Sequence, residues 1–179
     1  MLASEFVKQL ADIAPSEEDY VRAGHSRTQA RAWREAYSCP KRDAPLPIVD
    51  SNELLTLMKG WHTGNVEIGM VRLLDEPTSS TRGVDVGVVE SDPLIILSGT
   101  GELIVEDSGT DGHLLWCVAQ SADRFLDALI VAARFLESRA LRKDFDDLSV
   151  ASATAEQCAG LAGGNQYLPF YWMLVGAQW

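Results

Sequence analysis

Between Asp85 and Asp123 the chain has no lysine and no arginine. The charged residues of that stretch are all acidic: Asp85, Glu90, Asp92, Glu102, Glu106, Asp107, Asp111 and Asp123. Such a surface repels phosphate, which argues against nucleic-acid binding and suits a basic protein partner. Acidity by itself also keeps a protein soluble. Cysteine is scarce. Cys39, Cys117 and Cys158 have neither CxxC nor metal-knuckle spacing, so they read as reduced thiols in a cytoplasmic protein. No apolar run approaches the roughly 18 residues that span a bilayer. The opening MLASEFVKQLADIA carries acidic residues and no continuous apolar core, so it does not read as a signal peptide. Internal repeats and low-complexity segments are absent as well.

What is present is enough for one good core: 179 residues, 46% of them hydrophobic. The net charge of −11 is unevenly spread. Residues 1–49 hold seven basic and seven acidic side chains, while 50–179 hold eight and nineteen.

The centre of the chain reads as strands joined by tight turns. Val84, Val86 and Val88 alternate with Asp85, Gly87 and Val89, the period of a half-buried strand. Leu94–Leu97 follows a proline, and Leu103 with Val105 marks one face of a third strand. Ser98–Gly101 and Asp107–Gly112 are turn chemistry. His113–Ala119 is apolar on both faces, which predicts a central strand with Trp116 in the core. Ser121 is placed to cap a long helix in which Phe125, Leu126, Leu129, Ile130, Ala133 and Leu136 face inward, with Arg124, Asp127, Arg134 and Glu137 outward.

Upstream, residues 2–12 predict a short helix. Ser16 and Asp19 form a capping box for a second, running to about Tyr37. The proline-rich loop 40–47 marks an internal boundary. Asp50 or Ser51 caps a third helix that stops at Gly60. Val66–Met70 starts the sheet, and 75–83 reads as a mobile loop. Downstream, an alanine-rich helix ends at Gly163–Gly164, and the aromatic C-terminus must dock on the core or on another chain. The expected organisation is a helical region over 1–49, an α+β core over 50–149, and a C-terminal helix with an aromatic segment over 150–179. Together they make one domain built on a mostly antiparallel sheet of five to six strands. A homodimer through the aromatic C-terminus is one use for that segment.

No catalytic signature stands out. The GxG at Gly99–Gly101 precedes a strand, so it reads as a hairpin turn rather than a nucleotide loop. Asp144, Asp146 and Asp147 lack the glycine and distal glutamate of a calcium loop. His25 and His62 have no acidic or cysteine partner at metal spacing nearby. Cys117 and His113, four apart in the expected strand and so on the same face, make a conceivable nucleophile–base pair, but a thiol inside an apolar run usually just packs. The expectation is a protein without enzymatic activity, cofactor or metal.

The order of parts resembles the SUKH superfamily over residues 50 to about 139. The resemblance is carried by a capped helix ending in Trp (Leu54–Trp61) and a strand with a small-residue break (Val66-Glu-Ile-Gly-Met). It continues in the Gly101-Glu-Leu-Ile-Val hairpin and the Val118-Ala-Gln-Ser-Ala-Asp-Arg-Phe-Leu entry into the long helix. It implies an immunity-type protein that neutralises a toxin, often a basic nuclease or deaminase, by binding. A regulatory scaffold of the same fold and a Cys117-dependent hydrolase are the alternatives. The partner-binding residues expected on this reading are Asp85, Glu90, Asp92, Glu102, Glu106, Asp107 and Asp111, forming one acidic face or rim on which Glu102 and Glu106 point the same way.

Overall fold

A computed structural model describes residues 1–48, 52–110, 112–142 and 148–177. It is an α+β fold around a six-stranded antiparallel sheet in simple meander order, β1 to β6. The N-terminal helices are α1 (Ala3–Ile13), α2 (Glu17–Arg22) and α3 (Arg27–Ala36). The Ser16–Asp19 capping box forms as expected. The single long helix expected after it does not. Gly24 takes φ 99°, a conformation that favours glycine, and Ser26 then opens α3 with a second capping box to Gln29.

The proline-rich loop is bonded into the core. Lys41 bridges to Trp61, and the Arg42 Nε donates to the Met58 and Trp61 carbonyls, both at 3.0 Å. Helix α4 (Glu53–Gly60) is capped by Asn52, whose side chain accepts from the Leu55 amide at 2.9 Å. The caps expected at Asp50 or Ser51 lie outside the described residues.

The first strand is shorter than its alternation suggested. Gly69, at φ 60°, turns the chain back, so β1 (Glu67–Ile68) and β2 (Val71–Ser79) form a hairpin. The loop expected over 75–83 is mostly strand. Thr78 and Ser79 pair with Asp85 and Val84, and Pro77 falls in the register break between Leu73 and Thr78, where it interrupts no ladder bond. Strands β3 (Gly83–Val89), β4 (Asp92–Leu97) and β5 (Leu103–Glu106) form where sequence placed them, but the Val84–Val86–Val88 alternation does not hold: a register shift between Asp85 and Gly87 puts Val86 and Val89 in the core and leaves Val88 half-buried. Gly99 and Gly101 take φ 92° and 73° in the intervening turn.

Strand β6 (Leu114–Ala119) lies at the sheet edge, not at its centre, and Trp116 is only half-buried. Its two-sided apolar character comes from the C-terminal elements, which close over that edge. The Gln120 amide, for example, donates to the Ala162 carbonyl at 2.8 Å. Ser121 stands at the N-cap of α5 (Ala122–Leu141) but makes no side-chain capping bond there. It continues straight out of β6 in extended conformation, φ −160°.

Helix α5 is the axis of the fold. Phe125, Leu126 and Leu129 join Val86, Leu94, Ile96, Leu103 and Val105 in one core. Helix α6 (Leu148–Ala162) lays Ala151, Ala155, Cys158 and Ala159 into that core, small residues that permit close helix packing. It ends at Gly163–Gly164, as expected. The aromatic segment then docks on the protomer. A 3-10 turn (Asn165–Tyr167) leads into α7 (Leu168–Val175), and Tyr167, Phe170, Tyr171 and Leu174 are buried. Those side chains are occupied within the protomer, which removes the sequence argument for a dimer through them. Trp179 lies outside the described residues. No described helix is long and apolar enough to cross a membrane.

Candidate functional site

The helices pack on one face of the sheet. The other face carries the in-register row Asp85, Ile95, Ile104 and Cys117 across β3, β4, β5 and β6. Ile95 and Ile104 are buried yet stand apart from the helix-side core. Glu106, two residues beyond Ile104, shares this outer face.

The acidic residues expected to make one array are divided by the meander. Glu90, Asp92 and Asp107 gather at the end where the β3–β4 and β5–β6 turns lie side by side. The Ser108 amide donates to Asp92 Oδ1 at 2.9 Å, stitching the two turns together, and Asp107 Oδ1 accepts from the Gly109 amide at 2.7 Å. Glu90 is exposed at φ 57°, the one non-glycine residue with positive φ among those described. Such a conformation costs an ordinary side chain about 1–2 kcal/mol. Asp111 belongs to the same turn in sequence but lies outside the described residues.

Glu102 is at the opposite end of the sheet, where it accepts a hydrogen bond from the Tyr167 hydroxyl at 3.0 Å. Asp85 is half-buried in the middle of the outer face, and its Oδ1 has no hydrogen-bond partner among the described residues. Glu106 departs furthest from expectation. It is buried and ion-paired with Arg82. Arg82 sits in the β2–β3 turn, just outside the lysine- and arginine-free stretch, and its guanidinium passes over β4 to reach β5. It also touches the Gly112 carbonyl at 3.5 Å. A Cβ at Gly83 would stand 1.9 Å from the Ile96 carbonyl oxygen, so glycine is what lets this turn close against β4.

The Cys117–His113 pair gains no support from the strand geometry. Bulges in β6 place two residues against one of β5, once between Leu103 and Ile104 and once between Val105 and Glu106, so even spacing no longer fixes a shared face. His113 precedes the strand and is exposed. Burial, and then the Glu102 charge, push the Cys117 thiol above its ordinary value, the wrong direction for a nucleophilic thiolate. Among the described residues no group of three or more His, Cys, Asp or Glu could hold a metal ion. Asp144, Asp146 and Asp147 are not among them.

Sequence reasoning missed two polar clusters. His62 has an acidic neighbour after all. Its Nδ1 lies 3.2 Å from Asp75 Oδ2, and Arg42 pairs with the same carboxylate at 2.9 Å. The Thr63 amide donates to Asp75 Oδ1, also at 2.9 Å. Burial pushes the Asp75 carboxyl up, but bonds from His62, Gly64, Arg42 and Thr63 outweigh it and hold the group below its ordinary value. This cluster fastens the 40s loop to β2.

The second cluster surrounds Glu137, which was expected on the solvent side of α5 and is buried. The Tyr20 hydroxyl donates to it, and the Tyr37 hydroxyl bonds to it as well. Burial raises the Glu137 pKa, and the two hydroxyls only partly offset the rise. Burial first, then Glu137, push both tyrosines far above their ordinary range. A pairing of two N-terminal tyrosines with one helix glutamate leaves no local spacing to detect, because the residues are 117 and 100 positions apart.

Comparison with protein-family models, with curated proteins and with solved structures finds no significant match.

Proposed function

We propose that this chain works by binding a basic protein, without catalysis of its own, in the immunity-type role that its resemblance to the SUKH superfamily implies. The observation that carries the reading is the grouping of Glu90, Asp92 and Asp107 on two neighbouring hairpin turns. None of the three is ion-paired among the described residues. Loop carboxylates on a rigid sheet raise the encounter rate with a basic surface, and they do so less as salt rises. The raised Cys117 pKa and the exposed, separate His113 weigh against the hydrolase alternative.

The test is a triple variant, Glu90→Gln/Asp92→Asn/Asp107→Asn, which removes charge while keeping the turn acceptors. Association with the basic protein that the parent chain captures is followed by stopped flow from low to high salt. The proposal expects a slower on-rate and a flatter salt dependence, with the dissociation rate little changed. An on-rate and salt slope equal to those of the parent chain would refute this binding face. A partner that is a housekeeping protein rather than a toxin would favour the regulatory-scaffold alternative.

A further inference from the structure

We propose that the cleft between α3, β1 and α5 binds a guanidinium group. The cleft has a volume of about 430 Å³, within the size range of small-molecule sites. Glu137 lines it from α5, buried, and Glu67 lines it from β1, exposed. Trp33 and Tyr37 supply aromatic surface from α3 and its C-terminal cap, while the small side chains of Ala36 and Ala140 leave the space open. No lysine or arginine lines it among the described residues.

Three independent properties point to the same ligand chemistry. The first is charge: both ionisable carboxyls of the cleft are acidic, and Glu137 has no cationic partner among the described residues. A buried carboxylate without a counter-ion is costly, and a cation entering the cleft would offset that cost. The second is the aromatic surface. Trp33 is 36% exposed and is braced edge-on by Tyr20 and His25, at ring separations of 5.4 and 4.6 Å. A rigid indole presented to a cavity favours a planar, weakly hydrated cation. The third is geometry. Tyr20 and Tyr37 donate to Glu137, fixing the carboxylate without neutralising it. A guanidinium offers five donors in a plane, suited to such a fixed acceptor.

The protonation state of Glu137 then becomes part of binding. The titratable groups around it are Tyr20 from α2, Tyr37 at the end of α3 and Glu67 from β1. His25 stands behind Trp33, with its Nε2 2.9 Å from the Ala140 carbonyl. Burial raises the Glu137 pKa, so a guanidinium that requires the carboxylate should bind more tightly as pH rises and should release a proton on binding at acid pH. This inference is independent of the acidic turn face and of the partner proposed for it.

The experiment is a titration followed by the indole N–H resonance of Trp33, assigned with Trp33→Phe. The probes are ethylguanidinium, N-acetyl-arginine methylamide, a short arginine-containing peptide, and N-acetyl-citrulline methylamide as the uncharged isostere. The expected result is a saturable shift with the guanidinium probes and none with citrulline. Glu137→Gln should weaken binding by about tenfold or more. Trp33→Ala should weaken it several-fold, read from the Ala36 amide, in a variant whose unfolding midpoint is compared with the parent because Trp33 packs against the buried Tyr20. Saturation by ethylguanidinium alone supports a free small molecule as ligand, and saturation by the peptide alone supports an arginine side chain from a protein. No saturable shift with any guanidinium probe overturns the proposal, as does equal binding of the citrulline probe or an affinity unchanged in both variants.

Discussion

Arg82 and Glu106 join across β4: a guanidinium from the β2–β3 turn pairs with a buried carboxylate on β5, over the Ile95–Ile104 row of the outer face. The stretch that looks uniformly acidic in sequence is therefore partly neutralised by a residue that flanks it. Removing Arg82 should leave Glu106 buried and unpaired. Because the Arg82 side chain is itself 40% exposed, the loss is smaller than for a fully enclosed pair. Arg82→Ala should cost about 1–3 kcal/mol, and Arg82→Ala with Glu106→Gln should be non-additive by more than about 0.5 kcal/mol. Strict additivity in urea unfolding would mean that the two side chains do not interact.

Glu137 sets one pH dependence and Asp75 the opposite one. The folded Glu137 pKa is above the ordinary value of 4.5, so the folded chain keeps a proton that the unfolded chain has lost. Its contribution to stability is fully present below the ordinary value and is lost as pH rises through the raised one. Asp75 titrates below its ordinary 3.8; its contribution is present above that value and is lost as pH falls through the lowered one. Denaturation across pH should show a shallower fall toward neutrality in Glu137→Gln than in the parent. Parallel curves would assign the slope to other groups.

Thiol reactivity reads the packing directly. Burial pushes the Cys39 and Cys158 thiols up to about 12, so both should resist a maleimide in the native protein and react only on unfolding. Cys117, half-buried, should react first. Mass spectrometry of briefly labelled native protein identifies the site, and modification of Cys158 before Cys117 would contradict the placement of α6.

The two large aromatics at the β6–α5 junction should differ in weight. Phe125 is fully buried, and Phe125→Ala should cost about 3–5 kcal/mol. Trp116 is half-buried on an edge strand, and Trp116→Ala should cost about 1–3 kcal/mol, a fraction of the core value. Equal losses would restore Trp116 to the core.

Glu90 offers a test that separates stability from binding. Glu90→Gly removes the strain of its positive φ and should leave stability unchanged or raise it by up to about 1 kcal/mol. On the proposed function it should also slow association. A clear loss of stability would mean that the Glu90 side chain supports the turn.

The elements that sequence made legible were those specified by neighbours: the Ser16–Asp19 capping box, the existence of strand β3, the glycine turns at 99–101 and 163–164. What it hid was set by residues far apart. Glu137 lies on the polar side of α5 by helical spacing, and it is buried where Tyr20 of α2 and Tyr37, which caps α3, close over that side. Trp116 illustrates a different ambiguity, because a strand between two strands and an edge strand covered by a C-terminal helix have the same two-sided apolar pattern. The acidic residues were visible as composition. Their division between two ends of the sheet depended on the direction of each hairpin.

The closure of the N-terminal helices onto α5 has a consequence during synthesis. Tyr20 meets Glu137, and Gln9 meets Arg134 at 2.7 Å, so α1 and α2 cannot complete their packing until residues near 140 have been made. Until then Phe6, Leu10 and Tyr20, all fully buried in the finished fold, lack the α5 side of their packing. At roughly 5–20 residues per second, that interval lasts on the order of ten seconds, long enough for a chaperone to engage. Helices α1 and α2 thus stay open to capture until α5 has been made.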